Sequence, residues 1–189
     1  MNNILTLLNI PRFVLHFILF IVYYDRCIDD LLRECTPQKN KLYLYWRFFT
    51  LMTTHKYFRG VFYHRLGKLK YLCKFFAPCA HDFILGTMPI GPGFNAAHSF
   101  STVVNAKRVG KNCTVFQDVT VGYSKDGCPT IGDNVTIYAN SVVVGSIKIG
   151  NNVTIAACTF VNKDVPDNCL AIGVPAVIKA KKNHESKNN

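Results

Sequence analysis

The C-terminal half of the chain repeats an aliphatic residue every six positions, often followed by glycine. Three near-copies of one hexapeptide begin at Val109, Ile131 and Ile149 and read Val-Gly-Lys-Asn-Cys-Thr, Ile-Gly-Asp-Asn-Val-Thr and Ile-Gly-Asn-Asn-Val-Thr. The interval between the last two starting positions, 149 − 131 = 18, is three hexapeptides. An α-helix has a period of about 3.6 and a half-buried strand a period of about 2, so neither fits. The spacing predicts a parallel β-helix whose coils have three short sides.

The period also predicts which side chains point into the β-helix. The small or aliphatic residue four positions after an inward residue is predicted to lie at the inner edge of a turn. The inward series is Ile90, Ala96, Val103, Val109, Val115, Val121, Ile131, Ile137, Val143, Ile149, Ile155 and Val161. This count gains one residue between Ala96 and Val103, near His98, and four between Val121 and Ile131. Insertions in repeat proteins form external loops, often at a binding face.

Glycine and asparagine recur at the predicted corners of the coils. Both residues tolerate the left-handed backbone conformation at low cost, and sharp corners need that conformation. The corner residues are Gly110, Gly132, Gly150, Asn112, Asn134, Asn151 and Asn152.

The N-terminal region, 1–80, lacks the six-residue period and is predicted to be helical. Helices are expected over residues 13–34 and 41–76, with Pro37 and Pro78 as boundaries. The predicted organisation is therefore a helical region over 1–80, a β-helix domain over 81–182 and a polar tail over 183–189.

The stretch from Met1 to Tyr24 is apolar, but it does not resemble a signal peptide. It has no basic start and no small-residue cleavage site, and Pro11-Arg12 interrupts it. The uninterrupted apolar part is short for a membrane span and contains His16. We expect a buried or interfacial helix.

The helical region is strongly basic. The chain has a formal net charge of +11, and residues 35–81 contain nine lysines and arginines and no acidic residue. Two interpretations remain open for residues 39–76: contact with an anionic membrane surface or an acidic substrate, or a helical cap whose lysines are only solvated. Nucleic acid is not expected, because no nucleic-acid-reading motif accompanies the charge.

The eight cysteines form no Cys-x-x-Cys pair and no metal-ligand spacing with histidine. This pattern favours a reducing, cytoplasmic setting and no structural metal. Cys113 occupies an inner turn position, where a free cysteine packs as a small apolar residue. The expected location is the cytoplasm, peripheral at the inner face of a membrane.

His98 is the candidate catalytic residue. It lies where the period first breaks, in Gly-Phe-Asn-Ala-Ala-His-Ser-Phe-Ser, among small side chains that leave room for a cleft. A neutral imidazole is suited to taking a proton from a hydroxyl group as it attacks a carbonyl.

Residues 84–180 resemble the left-handed β-helix acyltransferases, and within them the serine O-acetyltransferase-like branch. The run from Ile90 to His98 resembles that branch's Ile-Gly-x-Gly-(x)4-His motif. The stretches Phe116-Gln-Asp-Val-Thr-Val-Gly122 and Gly173-Val-Pro-Ala176 resemble two further motifs, and Phe58 to Gly67 resembles the helical lead-in.

The resemblance implies a homotrimer with active sites between subunits and acetyl-CoA bound along the groove between neighbouring coils. His98 would deprotonate an acceptor hydroxyl for direct attack on the acetyl group, with no acyl-enzyme and no metal. The residues implied for acetyl-CoA are Gly122, Ala139, Ala157, Gly173, Pro175, Ala176 and Lys179. Two family glycines are replaced by Tyr138 and Ala156.

Departures from the family pattern bear on the acceptor. Serine acetyltransferases carry an Asp before the catalytic His and an Asp-Arg-His-Pro stretch in the external loop; this chain has Ala97 and Asp126-Gly-Cys-Pro129 there. Free serine would lose charged partners worth about 1.5–3 kcal/mol each. The candidate substrate-binding residues are Asp82, Ala97 and Asp126. The sequence leaves open whether Asp82 or a backbone carbonyl orients His98.

Three functions are weighed. The first is an acetyl-CoA-dependent O-acetyltransferase acting on a saccharide hydroxyl in surface polysaccharide biosynthesis. The second is a serine O-acetyltransferase of cysteine biosynthesis. The third is a non-catalytic trimeric β-helix that acts as a scaffold or binding module. A zinc enzyme of the γ-carbonic anhydrase kind is set aside, because His81 and His98 are the only histidines near the coils apart from tail residue His184.

Overall fold

The computed structural model describes residues 2–33, 40–86 and 88–181. The predicted polar tail over 183–189 and the predicted boundary at Pro37 lie outside these residues. Helices come first along the chain, and short strands make up the rest of it. The helices are α1 (Asn2–Val22), α2 (Tyr24–Arg33), α3 (Lys41–Thr54), α4 (Lys56–Leu66) and α5 (Lys70–Lys74), with a 3₁₀ turn at Gly67–Leu69 between α4 and α5.

The first helix is longer than the sequence pattern indicated. It begins at Asn2 rather than at residue 13 and continues through Pro11. Proline removes the hydrogen bond to the carbonyl four residues earlier, here that of Leu7. Leu7 is exposed, so solvent can reach this region of the helix. The helix continues because its inner face packs on α3, which stabilises helices more than local propensity does.

Aromatic side chains form the core of the helical region. Phe13, Phe20, Phe48 and Phe62 are all at most 2% exposed, and the rings of Phe20 and Phe48 stack with centroids 4.5 Å apart. Such ring pairs add about 0.5–1.5 kcal/mol to simple burial. The helical region therefore has an apolar core of its own beside that of the β-helix.

His16 is the polar centre of this aromatic core. Its Nε2 lies 2.9 Å from the Tyr63 hydroxyl, which itself donates to the Ala77 carbonyl at 2.5 Å. Because the hydroxyl hydrogen is used there, Nε2 must be the donor to Tyr63. Burial, and then the charges of Arg59 and Arg12, lower the pKa of His16 to about 4, so the buried ring is neutral near pH 7.

The remaining chain is a parallel β-helix of three sheets. One sheet has the order β1-β3-β6-β9-β12, a second has β10-β7-β4, and the third has β14-β13-β11-β8-β5-β2. The strands are β1 (Phe83–Leu85), β2 (Asn95–Ala96), β3 (Thr102–Val104), β4 (Arg108–Val109), β5 (Thr114–Val115), β6 (Thr120–Gly122), β7 (Thr130–Ile131), β8 (Thr136–Ile137), β9 (Val142–Val144), β10 (Lys148–Ile149), β11 (Thr154–Ile155), β12 (Phe160–Val161), β13 (Cys169–Ile172) and β14 (Val177–Ala180). All strand pairs are parallel except β13 with β14, which form an antiparallel hairpin at the C-terminal end.

The six-residue count placed the interior side chains correctly from residue 109 onward. Val109, Val115, Val121, Ile131, Ile137, Val143, Ile149, Ile155 and Val161 are each at most 2% exposed. Val109 also stacks directly on Ile131, so the four extra residues between Val121 and Ile131 leave the register intact. They form an external turn in which Ser124 and Gly127 pair.

The predicted inward residue Val103 is wrong by one position. Val104 is fully buried and stacks on Val121, whereas Val103 is only half-buried and stacks on Thr120. The interval from Ala96 to Val104 is 104 − 96 = 8, two more than a hexapeptide. The coil recovers with a shorter interval, 109 − 104 = 5, before Val109, so a count of sixes cannot locate both irregularities.

Asparagines build the repeated corner between the second and third sheets, as predicted. Asn112, Asn134, Asn152 and Asn168 have φ between 54° and 57°. Each side-chain amide donates to the next amide oxygen, at 3.2, 3.0 and 3.0 Å along the column. This ladder satisfies polar groups from coil to coil and holds the coils in register.

The corner glycines have a different physical role from the one predicted. Gly110, Gly132 and Gly150 are not among the residues with positive φ. A Cβ at Gly110 would lie 2.4 Å from the backbone of Gly132, and one at Gly132 would lie 2.7 Å from the Gly150 carbonyl. Glycine is needed at these positions because successive coils approach too closely for a side chain.

A buried ion pair joins the helical region to the first coil. Arg65 of α4 donates from Nε and Nη2 to the two carboxylate oxygens of Asp30 of α2, at 2.7 and 2.9 Å. The same guanidinium donates to the carbonyls of Ile90 and Gly91, and Asp30 accepts from the Phe94 amide at 2.8 Å. Two helices and the start of the β-helix are thus tied together by one charged pair.

We predict that Asp30→Ala destabilises the protein by about 3–5 kcal/mol, because it leaves the buried Arg65 charge without its partner. The measurement is urea unfolding followed by the fluorescence of Trp46, the chain's one tryptophan. Asp29→Ala, at an exposed neighbour on the same helix, is the matched control and should change stability by less than about 0.5 kcal/mol. Equal losses in the two variants would contradict the proposed role of the pair.

Candidate active site

His98 lies on a two-residue insertion at the corner between the third and first sheets. Ala97 keeps the regular stacking, since its amide donates to the Val115 carbonyl at 2.9 Å. Stacking resumes at Phe100, whose carbonyl accepts from Asp118 at 3.0 Å, just as Gln117 accepts from Asn140 in the next coil. The extra residues are therefore His98 and Ser99.

The insertion turns the His98 imidazole outward, while the next residue, Ser99, anchors the backbone in the coil. His98 has φ of 51° and an exposed side chain. Ser99 beside it is fully buried and donates from Oγ to the Val115 carbonyl at 2.9 Å. A non-glycine residue in the left-handed region costs energy, and such strain persists where the surroundings impose it, often at functional sites.

The His98 segment faces the junction of α3 and α4 across an open cleft of about 440 Å³. The cleft is lined by residues 54–58 on one side and 95–98 on the other. Within it, the Asn95 Oδ1 atom is buried and has no hydrogen-bond partner in the described part of the chain. A buried acceptor without a donor costs about 1–3 kcal/mol, and this oxygen lies beneath the cleft surface rather than on it.

His55 belongs to the same cleft. Its Nδ1 lies 2.6 Å from Thr54 Oγ1, and that hydroxyl donates to the Thr50 carbonyl, so Nδ1 must be the donor. The pKa of His55 is lowered by burial first and then by the positive charges of Arg47, His98 and Arg59. His55 and His98 both line the cleft, so the two side chains face the same space. His55 is thus a neutral ring that offers Nε2 as an acceptor.

Asp82 and Lys56 form an open ion pair beside the cleft. The Lys56 Nζ lies 3.9 Å from the Asp82 carboxylate and also sits over the ring of Tyr57, and the two charged side chains are 51% and 43% exposed. Exposed pairs of this kind contribute little to stability. Asp82 does not hold the imidazole of His98, which forms no hydrogen bond within residues 2–33, 40–86 and 88–181. Neither of the orienting groups considered from sequence is in place in the single chain.

The other two candidate substrate-binding residues, Ala97 and Asp126, lie in different parts of the molecule. Ala97 lines the cleft next to His98. Asp126 lies outside the cleft, at the tip of the external turn, where its amide donates to Ser124 Oγ at 3.2 Å.

The residues implied for acetyl-CoA fall into three places. Ala139 and Ala157 lie at the same corner as the His98 insertion, in later coils. Residues at this corner stack from coil to coil and form a column, which we call the corner column; in it the Ala139 carbonyl accepts from the Cys158 amide at 2.9 Å. Gly122 is the last residue of β6, at the end of the first sheet that is away from the corner column, and a Cβ there would meet open space. The remaining four lie in the C-terminal hairpin.

That hairpin closes the C-terminal end of the β-helix. Gly173 has φ of 98°, and the Val174–Pro175 peptide bond is cis, which gives the sharp turn between β13 and β14. Ala176 is buried and its amide donates to the Phe160 carbonyl at 2.9 Å. Lys179 is exposed on β14.

The sequence analysis did not identify the α3–α4 side of the cleft. His55 and Lys56 are far from His98 along the chain and lie in a helical region with no motif of their own. Asn95 precedes His98 by only three positions, so its proximity was a usable signal. Its lack of a partner, however, is visible only in the structure.

Comparison with known proteins agrees with this architecture. The family model described as "Bacterial transferase hexapeptide (six repeats)" matches residues 128–163. The serine acetyltransferase of Bacillus pumilus is 31% identical over 140 residues, which cover 66% of this chain and 64% of that protein. The serine acetyltransferase of Staphylococcus epidermidis is 32% identical over 132 residues, covering 67% and 61%. That of Synechococcus elongatus is 36% identical over 91 residues, covering 46% and 37%. The chain thus spans less than two thirds of these relatives' length.

Solved structures show the same fold. The serine acetyltransferase of Neisseria gonorrhoeae in complex with serine is 28% identical, with a TM-score of 0.64 over 85% of this chain and 70% of that one. The soybean serine acetyltransferase apoenzyme, 24% identical, superposes with a TM-score of 0.66 over 89% of this chain and 74% of that one. These matches confirm the predicted fold class, a left-handed parallel β-helix of hexapeptide repeats with an N-terminal helical region. They also confirm the resemblance of the chain to the serine O-acetyltransferase branch.

Proposed function

We propose that this protein is an acetyl-CoA-dependent O-acetyltransferase of the serine acetyltransferase kind, with His98 as general base and L-serine as acceptor. The observation that carries the proposal is the two-residue insertion that turns the His98 imidazole outward beside an open cleft. The exposed imidazole supplies a base at the edge of this cleft.

In the proposed reaction, His98 takes the proton of the acceptor hydroxyl as its oxygen attacks the acetyl carbonyl of the thioester. The carbon–sulfur bond then breaks, and the departing thiolate receives the proton back from His98. One ester forms and one thioester is lost, with no redox change and no acyl-enzyme. The cysteines need no part in this chemistry.

The corner column supports the proposed acetyl-CoA site. Ala139 and Ala157 are small and continue the column that begins at the His98 insertion, so a long, narrow chain could lie along them with its thioester near the imidazole. A serine acetyltransferase of Brucella abortus has been solved with coenzyme A on the same fold. Lys179 is the exposed cation that we assign to the phosphate groups.

L-serine replaces a saccharide as the first choice of acceptor. The relatives are named serine acetyltransferases, and one of the similar structures holds serine, which favours the second of the functions weighed from sequence. The missing charged residues of the external loop have a substitute beside the cleft, because Lys56 can face the carboxylate and Asp82 the ammonium group. Their separation of 3.9 Å leaves both charges available to a zwitterion. A saccharide hydroxyl remains the second candidate, favoured by Ala97 in place of an aspartate and by Gly127 and Cys128 in place of the arginine and histidine of the external loop.

We further propose that the chain works as a homotrimer in the cytoplasm. The resemblance to trimeric β-helix enzymes supports this, and so does the exposed face of His98, which a neighbouring subunit could complete. Light scattering of the purified chain should give a mass three times that of one 21.3 kDa chain, or a multiple of the trimer. A monodisperse monomer would contradict this assembly.

The His98→Ala variant should lower turnover by about 10²–10⁴-fold, the usual contribution of a general base, while acetyl-CoA binding is largely kept. The measurement is acceptor-dependent release of CoA detected by mass spectrometry, beside calorimetric titration of acetyl-CoA. His81→Ala, at an exposed histidine outside the cleft, is the control. Near-normal turnover in His98→Ala would remove this residue from the mechanism. A native chain that does not bind acetyl-CoA would favour a non-catalytic scaffold.

The acceptor is tested by running L-serine beside free, nucleotide-linked and lipid-linked sugars in the same assay. We expect turnover with L-serine, and we expect Lys56→Gln to raise KM for serine by about tenfold with little change in kcat, since an ionised contact is worth about 1.5–3 kcal/mol. Lys68→Gln, at an exposed lysine elsewhere on the helical region, should leave KM unchanged. Turnover with a sugar alone, unaffected by Lys56→Gln, would establish the saccharide as acceptor.

A further inference from the structure

The outward face of α1 is apolar along its whole length. Leu8 is 74% exposed, Val22 69% and Ile4 67%, and the same face exposes Leu15 and Ile18. In its apolar segment Asn3–Val22, mean hydropathy reaches 2.0 and only 22% of the most apolar window is buried. By length and composition this helix could cross a membrane. Exposed apolar surface of this extent marks a site of contact.

A second exposed apolar group adjoins α1. The segment around α5 exposes Tyr71, Leu72, Phe75 and Phe76, with Phe75 at 88%. Arg12 of α1 donates to the Phe76 carbonyl at 2.5 Å, which places this segment directly against the helix. The face of α1 and these aromatic residues together form one surface, which we call the α1–α5 surface.

Cations accompany the α1–α5 surface. Lys68, Lys70 and Lys74 lie in the same short segment as the exposed aromatics, and Arg12 lies on α1 itself. Residues 1–24 and 35–81 contain no aspartate or glutamate. Among the described residues of the helical region, the exposed acids are Asp25 and Asp29 of α2. Apolar residues with lysine, arginine and aromatic neighbours, and without acids, have the composition of a helix that lies in the interface of an anionic bilayer.

We propose that the α1–α5 surface docks on an anionic lipid bilayer, with α1 lying in the plane of the interface. A second copy of this surface is a poorer partner, because pairing would bring the same cations together with no acids to balance them. An anionic headgroup layer supplies the opposite charge and attracts lysine and arginine residues near its surface.

The inner face of α1 keeps the helix on the surface rather than across the membrane. Phe13, Phe20 and His16 are at most 2% exposed within the helical core, and His16 bonds to Tyr63 of α4. A spanning α1 would have to leave this core. Docking instead uses the protein as folded, with the outer face in lipid and the inner face on α3.

The test is flotation of the full-length protein with phosphatidylcholine vesicles prepared with and without phosphatidylglycerol. We expect co-flotation with the anionic vesicles. The bound fraction should fall at least tenfold without phosphatidylglycerol, and also at about 1 M salt, where the Debye length shortens to about 3 Å. Leu8→Ser and Phe75→Ser should each weaken partitioning by at least tenfold, because each removes a large apolar side chain that would be buried in the bilayer interface. Val177→Ser, at an exposed apolar residue of β14, is the matched control and should bind as the native chain does.

Three results would overturn the proposal. One is no flotation with anionic vesicles at low salt. Another is self-association that Leu8→Ser abolishes, with no vesicle binding, which would make the surface an interface between copies of this chain. The third is native protein that resists alkaline carbonate extraction from membranes, which would mean that α1 spans the bilayer. All three are independent of acetyl transfer, so they leave the proposed function to its own tests.

Discussion

The ion pair between Asp30 and Arg65 determines how the helical region meets the β-helix. Its guanidinium binds both Asp30 oxygens and two carbonyls of the first coil, and Asp30 binds the Phe94 amide next to the His98 segment. A buried charged pair of this kind is often no more stabilising than apolar packing, but its directional bonds allow few alternative arrangements. Because Arg65 lies in the last turn of α4 and His55 immediately precedes its first residue, fixing Arg65 also fixes the wall of the cleft that faces His98.

Regularity and irregularity of the coils have separate roles. The asparagine ladder and the close glycine contacts require each coil to repeat the last, and from Val109 onward the inward residues do so. Because the strands must stay in register from coil to coil, two extra residues cannot lie within a strand. They form a bulge at a corner instead. The insertion of His98 and Ser99 is anchored by a buried serine, and the histidine is the part left outside. A rigid repeat thus converts a length difference in sequence into an exposed side chain.

Much of this could be predicted from the sequence, for a physical reason that also sets the limit. Stacked coils impose the same constraint on every sixth residue, so burial of Ile131, Ile137 and their equivalents follows from local spacing. The insertion was located near His98 but counted as one residue instead of two, because the coil loses a residue again before Val109 and a count of sixes gives only the sum. The contribution of His55 and Lys56 to the cleft follows from the tertiary position of α4, which depends on Arg65 and Asp30, and no spacing encodes that contact.

Helix α4 connects the features of the molecule that matter for function. Its first turn lines the cleft through Lys56 and Tyr57, its middle places Phe62 and Tyr63 in the helical core, and its last turn holds the first coil through Arg65. Through Tyr63 it also holds His16 and therefore α1, whose outer face is the apolar one. A membrane-docked α1 would set the orientation of α4, and with it the direction in which the His98 cleft opens relative to the bilayer. The helical region is in this respect more than a cap on an open coil, because the same helix that closes the first coil relates the candidate active site to the surface that we propose contacts lipid.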